Sequence, residues 1–178
     1  MKSMKHIILG AALAIGAFCT VIYTSCNKDA CKGVTCQNGG TCSGGNCTCV
    51  VGYGGTRCET IYRTTYTNTY QGNGTDNTGG TYTNFRLVLT ANGTDVTKMT
   101  LALQDATGGS VGVPILTIDL SNFTATGSSF TVESNASVSG LTYTGTGTIS
   151  TTSASLSLVE TPSSGSATTY TFNNMARQ

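Results

Sequence analysis

Apolar residues follow two regimes along this chain. Residues 7–23 form an almost unbroken apolar run behind a positive start at Lys2, Lys5 and His6. A basic start followed by an apolar stretch is the pattern of a secretory leader, and the run is short of the ~20 residues a membrane-spanning helix needs. After residue 58 the regime changes. Apolar side chains now recur at every second position in short blocks, and Gly, Asn and Asp separate the blocks. This is the period of half-buried β-strands joined by turns.

Eight such strands are predicted. Tyr62, Thr64, Tyr66 and Tyr70 share one face of the first. Phe85, Leu87 and Leu89 line the second, and Met99, Leu101 and Leu103 the third. Asn92-Gly93-Thr94-Asp95 between these two is a hairpin signal. Residues 111–120 give the fourth, where Pro114 implies an edge or a bulge. Phe130 and Val132 mark the fifth, Leu141, Tyr143 and Ile149 the sixth, Leu156 and Leu158 the seventh, Tyr170 and Phe172 the last. The expectation is an all-β domain over 59–178, an antiparallel β-sandwich or up-and-down barrel of about eight strands.

Composition narrows the function classes. The 178 residues include 34 threonines, 17 serines and 23 glycines, with only 10% charged and a formal net charge of +1. No basic field exists to attract nucleic acid. A disordered Thr/Ser stalk is the compositional rival, but the alternating blocks and their turn residues argue for a packed domain. His6, the single histidine, belongs to the leader. Without it the chain has no Ser-His or Cys-His pair and no histidine metal site. Lys98 reads as a solvated charge at a hairpin start, and Asp119 and Glu133 are the acids nearest strands. Neither set points to catalysis, so the expectation is a non-enzyme with no metal and no cofactor.

The eight cysteines stand at 19, 26, 31, 36, 42, 47, 49 and 58. Cys19 lies within the apolar run. Tyr23-Thr24-Ser25-Cys26 resembles the lipobox of bacterial lipoproteins, with Tyr23 where Leu is usual. The resemblance implies a signal peptide over 1–25, lipidation of Cys26 and a linker over 26–30. Two or three acyl chains anchor stably where one does not. Lys28-Asp29 resembles the surface-export signal of Bacteroidetes lipoproteins. Loss of the leader leaves a slightly acidic chain without histidine.

Six cysteines remain within residues 31–58, an even number in an exported chain, which reads as three disulfides of open connectivity. Cys36-Gln37-Asn38-Gly39-Gly40-Thr41-Cys42, Cys47-Thr48-Cys49 and the segment from Gly52 to Cys58 closely resemble an EGF-like module of the compact tenascin type. That resemblance implies the pairs Cys31–Cys42, Cys36–Cys47 and Cys49–Cys58. The acidic cluster of calcium-binding modules is missing before Cys31. So short a segment needs such staples, because it cannot bury a sufficient core.

The whole order resembles Bacteroidetes-type outer-membrane lipoproteins in which one EGF-like module precedes a small lipocalin-like β-domain. Tyr143–Ile149, a Tyr-x-Gly-x-Gly-x-Ile segment, carries the second half of that likeness. It implies a monomer anchored to the membrane by lipid, with the module as spacer and the β-domain binding a glycan or protein. A carrier of a small hydrophobic ligand is the alternative. Tyr62, Tyr66, Tyr70 and Tyr82 are the candidate contacts, as a sugar-stacking strip or as ordinary cross-strand aromatic pairs. For the anchor, replacing Cys26 with Ala is expected to move the protein from the membrane fraction to the soluble fraction. Unchanged membrane retention would mean an uncleaved helix.

Overall fold

The structure is a computed structural model that describes residues 30–133, 137–138 and 140–178. The leader, Cys19, Cys26 and the Lys28-Asp29 pair lie outside the described residues. Two units follow in chain order, a disulfide-rich module and a closed β-barrel.

The module contains two small hairpins. β1 (Thr41–Ser43) pairs with β2 (Asn46–Thr48), and β3 (Tyr53–Gly54) pairs with β4 (Thr60–Ile61). The second hairpin therefore extends past Cys58, the boundary expected from the cysteines. Disulfides join Cys31 to Cys42, Cys36 to Cys47 and Cys49 to Cys58, the connectivity of an EGF-like module. Of the module's hydrophobic side chains only Cys58 is buried, while Val50 and Val51 are exposed. The covalent links stand in for a core, each contributing about 2–4 kcal/mol.

A short helix, α1 (Tyr62–Tyr66), follows directly. The first strand was expected to include these residues, and it does not. Tyr62 and Tyr66 are spaced for one face of a helical turn as well as for a strand face. Long-range contacts decide between the two. The helix buries Arg63 and Tyr66 against one end of the barrel. Hydroxyls of Thr64 and Thr65 donate to the carbonyls of Ile61 and Tyr62.

The barrel strands are β5 (Asn68–Asp76), β6 (Thr81–Ala91), β7 (Lys98–Gln104), β8 (Leu116–Ser121), β9 (Gly127–Val132), β11 (Leu141–Ser150), β12 (Ser153–Pro162) and β13 (Thr168–Arg177). A two-residue strand, β10 (Ser137–Val138), adds to β11 outside the ring. Every neighbouring pair is antiparallel. β13 pairs with β5, and β11 pairs with both β12 and β9, so the sheet closes into an eight-stranded barrel. The choice between sandwich and barrel is settled by the β11–β9 ladder. The fourth strand is shorter than expected, because residues 111–115 are irregular and Pro114 precedes the strand. Proline cannot donate to a ladder, and Gly112 adopts φ +84° just before it.

Alternation places Leu87, Leu89, Met99, Leu101, Ile118, Phe130, Leu156 and Leu158 in the interior, all essentially inaccessible. An eight-stranded barrel has room for little more than its own side chains. Two glycines make that room uneven. Gly147 faces Phe130 across β11–β9, and Gly74 faces Phe172 across β5–β13. A Cβ at either would collide with the partner's ring. Each glycine thus holds space for one phenylalanine.

Arg63 fixes the end of the barrel next to the module. Its Nη1 donates to the carbonyls of Asn92 (3.0 Å), Asp95 (2.5 Å) and Lys98 (3.2 Å), and Nη2 to that of Gly93 (2.9 Å). Three of these carbonyls belong to the β6–β7 turn and the fourth to the first residue of β7. Hydrogen bonds from a charged donor contribute about 1.5–3 kcal/mol. Arg63→Met keeps the apolar stem and removes the donors. It is expected to lower stability by about 2–3 kcal/mol, read by urea unfolding with the disulfides intact.

Candidate ligand site

The two ends of the barrel differ. At the end beside the module, the Tyr66 hydroxyl donates to the Thr124 carbonyl (2.6 Å) and the Tyr70 hydroxyl to the Ser150 carbonyl (2.9 Å). Both rings are fully buried. Together with Arg63 they close this end. Tyr62 stacks on Phe123, with ring centroids 6.3 Å apart, where the module meets the barrel. Tyr62 N–H donates to the Gly52 carbonyl of the module.

The opposite end holds a cavity of about 340 Å³. Phe85, Leu103 and Phe172 line one part of it. Val111, Gly112 and Val113 of the β7–β8 loop cover one side. Leu141, Tyr143, Glu160, Tyr170 and Tyr82 line the rest. The volume falls at the lower end of the range of small-molecule sites, about 300–1,000 Å³.

Local backbone irregularities create this lining. On β6, Gly74 pairs with Tyr82 and Gly72 with Phe85, so three steps on β6 match two on β5. Asn84, at φ +58°, takes up the extra residue, and its N–H donates to Asn73 Oδ1. The bulge resets the alternation, which lets Tyr82 and Phe85 both reach the cavity. β13 repeats the device. Asn174 has φ +51° and its N–H donates to Ser155 Oγ, between the buried Phe172 and Met175. Asn tolerates the left-handed conformation better than most residues do. The aromatic groups then cluster. Tyr82 meets Phe85 edge-on at 5.3 Å and Tyr170 at 5.8 Å, and Phe85 lies 5.6 Å from Phe172.

Two turns of identical chemistry frame this end. In Asp76-Asn77-Thr78-Gly79-Gly80, Asp76 Oδ1 accepts from Thr78 N–H, Thr78 Oγ1 and Gly80 N–H. In Asp105-Ala106-Thr107-Gly108-Gly109, Asp105 Oδ1 accepts from Thr107 N–H, Thr107 Oγ1 and Gly109 N–H. Gly79 and Gly108 supply φ values of +96° and +89°. Asp76 adds one bond that Asp105 lacks, because its Oδ2 accepts from the Tyr82 hydroxyl at 2.6 Å. The turn is thereby tied to the cavity wall. Thr78, Tyr82 and Gly80 together hold the Asp76 carboxyl well below the usual carboxylate range.

Electrostatics at the mouth are one-sided. Glu160 is the sole charged residue among the lining groups. It follows Ala154, Leu156 and Leu158 in the inward register of β12 and pairs with Tyr143 across β11–β12. Burial, then the neighbouring Glu160 carboxylate, pushes the Tyr143 phenol up to about 12. Tyr82 also rises to about 12, first through its bond to Asp76 and then through burial.

Of the four candidate tyrosines, only Tyr82 reaches the cavity. Tyr66 and Tyr70 are core residues and Tyr62 packs at the module junction, so the four do not form an exposed sugar-stacking strip. Phe85, Tyr143, Tyr170, Phe172 and Glu160 were missed as a group. A carboxylate on an otherwise apolar register was the readable signal for Glu160. Lys98 is not a free solvated charge. It forms ion pairs with Asp119 at 3.0 Å and with Glu133 on the outer face, which occupies the one acid pair considered for chemistry. Among the described residues, no group of three or more His, Cys, Asp or Glu side chains is placed to hold a metal ion.

Comparison with protein-family profiles, curated proteins and solved structures finds no match for this chain.

The tyrosines give a pH dependence of defined sign. Tyr66, Tyr70 and Tyr170 are raised chiefly by burial, alongside Tyr82 and Tyr143. Above the ordinary phenol value of about 10, the unfolded chain releases protons that the folded chain keeps. Stability is therefore expected to be flat near neutrality and to fall as pH rises from about 10 toward 12. Absorbance at 295 nm should show these five tyrosines ionising only as far-UV ellipticity is lost.

Proposed function

We propose that this protein is a non-enzymatic carrier of a small, largely apolar ligand, exported and held at a bacterial outer membrane by lipid on Cys26. The observation that carries the reading is the aromatic-lined cavity at one end of a barrel whose other end is closed. Sites of this kind are concave, mostly apolar and furnished with a few polar groups. A binding strip of exposed tyrosines has lost its support, because Tyr66 and Tyr70 are buried.

The remaining features fit the same reading. Three disulfides suit an oxidising compartment. Four residues separate Cys26 from Cys31. A tether there joins the chain through the EGF-like module, which packs at the closed end of the barrel, and the mouth opens at the other. The module then acts as a spacer that turns the mouth away from the bilayer. Absence of histidine beyond the leader agrees with binding rather than catalysis.

The test uses N-phenyl-1-naphthylamine, a neutral apolar fluorophore. The barrel is expected to enhance its emission with one site per chain. Val113→Trp, which fills the cavity from the covering loop, should abolish the enhancement while leaving the far-UV spectrum unchanged. No enhancement, or enhancement that survives Val113→Trp, would overturn the proposal.

A further inference from the structure

The cavity lining carries a chemical preference beyond apolarity. We propose that the ligand is a small organic cation, an amine on a flat apolar body, whose ammonium is received by Glu160 among the rings of Tyr82, Tyr143 and Tyr170. This inference rests on the small-ligand reading above and narrows it.

Three observations converge. First, Glu160 is the only charged group lining the cavity, and no Lys, Arg or His lines it. A carboxylate facing a partly enclosed apolar space is costly unless a partner satisfies it. Tyr143 stands opposite it across β11–β12, and an ammonium would occupy the carboxylate's acceptor positions while supplying the missing charge. Second, the surrounding walls are π-faces. A cation within about 6 Å of a tyrosine ring is attracted by its quadrupole, more so where water is excluded. Tyr82 and Tyr170 lie 5.8 Å apart at a steep angle, so they present two differently oriented surfaces to one site. Tyr82 also donates its proton to Asp76, which enriches its ring and adds a second negative charge behind it. Third, another wall is Phe85 stacked near Phe172, with an interplanar angle of 27°, a surface suited to a flat hydrocarbon or aromatic body.

The same features count against the ligand most often expected of an apolar barrel, a fatty-acid anion. Its carboxylate would meet Glu160 and, behind Tyr82, Asp76, with no lining cation to compensate. Like-charge juxtaposition of this kind excludes partners more strongly than it ranks good ones.

Three probes of one frame separate the possibilities: phenethylamine, 2-phenylethanol and 3-phenylpropanoate. Each displaces N-phenyl-1-naphthylamine at pH 7 and low salt. Phenethylamine is expected to displace it at a concentration at least tenfold lower than either of the others. Glu160→Gln should raise the phenethylamine concentration required by tenfold or more and leave that for 2-phenylethanol unchanged. Equal displacement by amine and alcohol, or better displacement by the anion, would overturn the proposal in the unaltered protein without recourse to a variant. So would a Glu160→Gln protein that binds the fluorophore normally and keeps its preference for the amine. If the fluorophore binds and the amine shows no preference, only the charge class fails. If the fluorophore itself does not bind, the carrier reading fails and takes this inference with it.

Discussion

An eight-stranded barrel encloses barely more space than its own side chains fill. Everything else in this structure depends on how that scarce volume is divided. Gly147 and Gly74 surrender their side-chain space to Phe130 and Phe172 across the neighbouring strand. Tyr66 and Tyr70 occupy the end nearest the module. What is left unfilled lies at the other end, under the β7–β8 loop. The cavity is thus a consequence of uneven filling along one axis, not of a wide barrel.

The closed end and the open end use polar groups in opposite ways. At the closed end a buried guanidinium satisfies turn carbonyls, and tyrosine hydroxyls donate to backbone acceptors. Apart from Arg63 Nε, which is buried without a partner, the polar atoms named there are spent on one another, as a rigid plug requires. At the open end, carboxylates organise the turns, yet Glu160 lines the cavity opposite Tyr143 of the neighbouring strand. The contrast between an end whose hydroxyls and guanidinium amines are bonded to backbone carbonyls and an end with acceptor capacity to spare is the chemical basis for calling one a plug and the other a mouth.

Much of this was legible in the sequence, and the losses have definite causes. Period-two alternation located seven of the eight barrel strands, because strict alternation has one structural meaning when turns bound it, but it met β5 (Asn68–Asp76) only at Tyr70. The disulfide pairing followed from a resemblance in spacing and matches the structure. Alternation could not separate a sandwich from a barrel, since closure depends on pairing between β11 and β9, which no local pattern records. The helix at Tyr62–Tyr66 was misread because a threonine-rich segment with strand propensity is overridden by the contacts of Arg63. The site was misplaced for a third reason. Asn84 and Asn174 interrupt the alternation, so Tyr82 and Phe85 share a side against the two-residue rule. An asparagine between two bulky apolar residues was the available clue, in Tyr82-Thr83-Asn84-Phe85 and again in Phe172-Asn173-Asn174-Met175.

The division of cysteines has a consequence for how the chain reaches its shape. All three disulfides close over sequence separations of 9 to 11 residues within the module, and no cysteine lies in the barrel. Oxidative folding is therefore a local event, while the barrel must join β5 to β13 across about a hundred residues, a slow search by the usual dependence of rate on contact order. The two units answer to different clocks and different conditions. The module's maturation is set by the thiol chemistry of the compartment, and the barrel's by chain entropy alone.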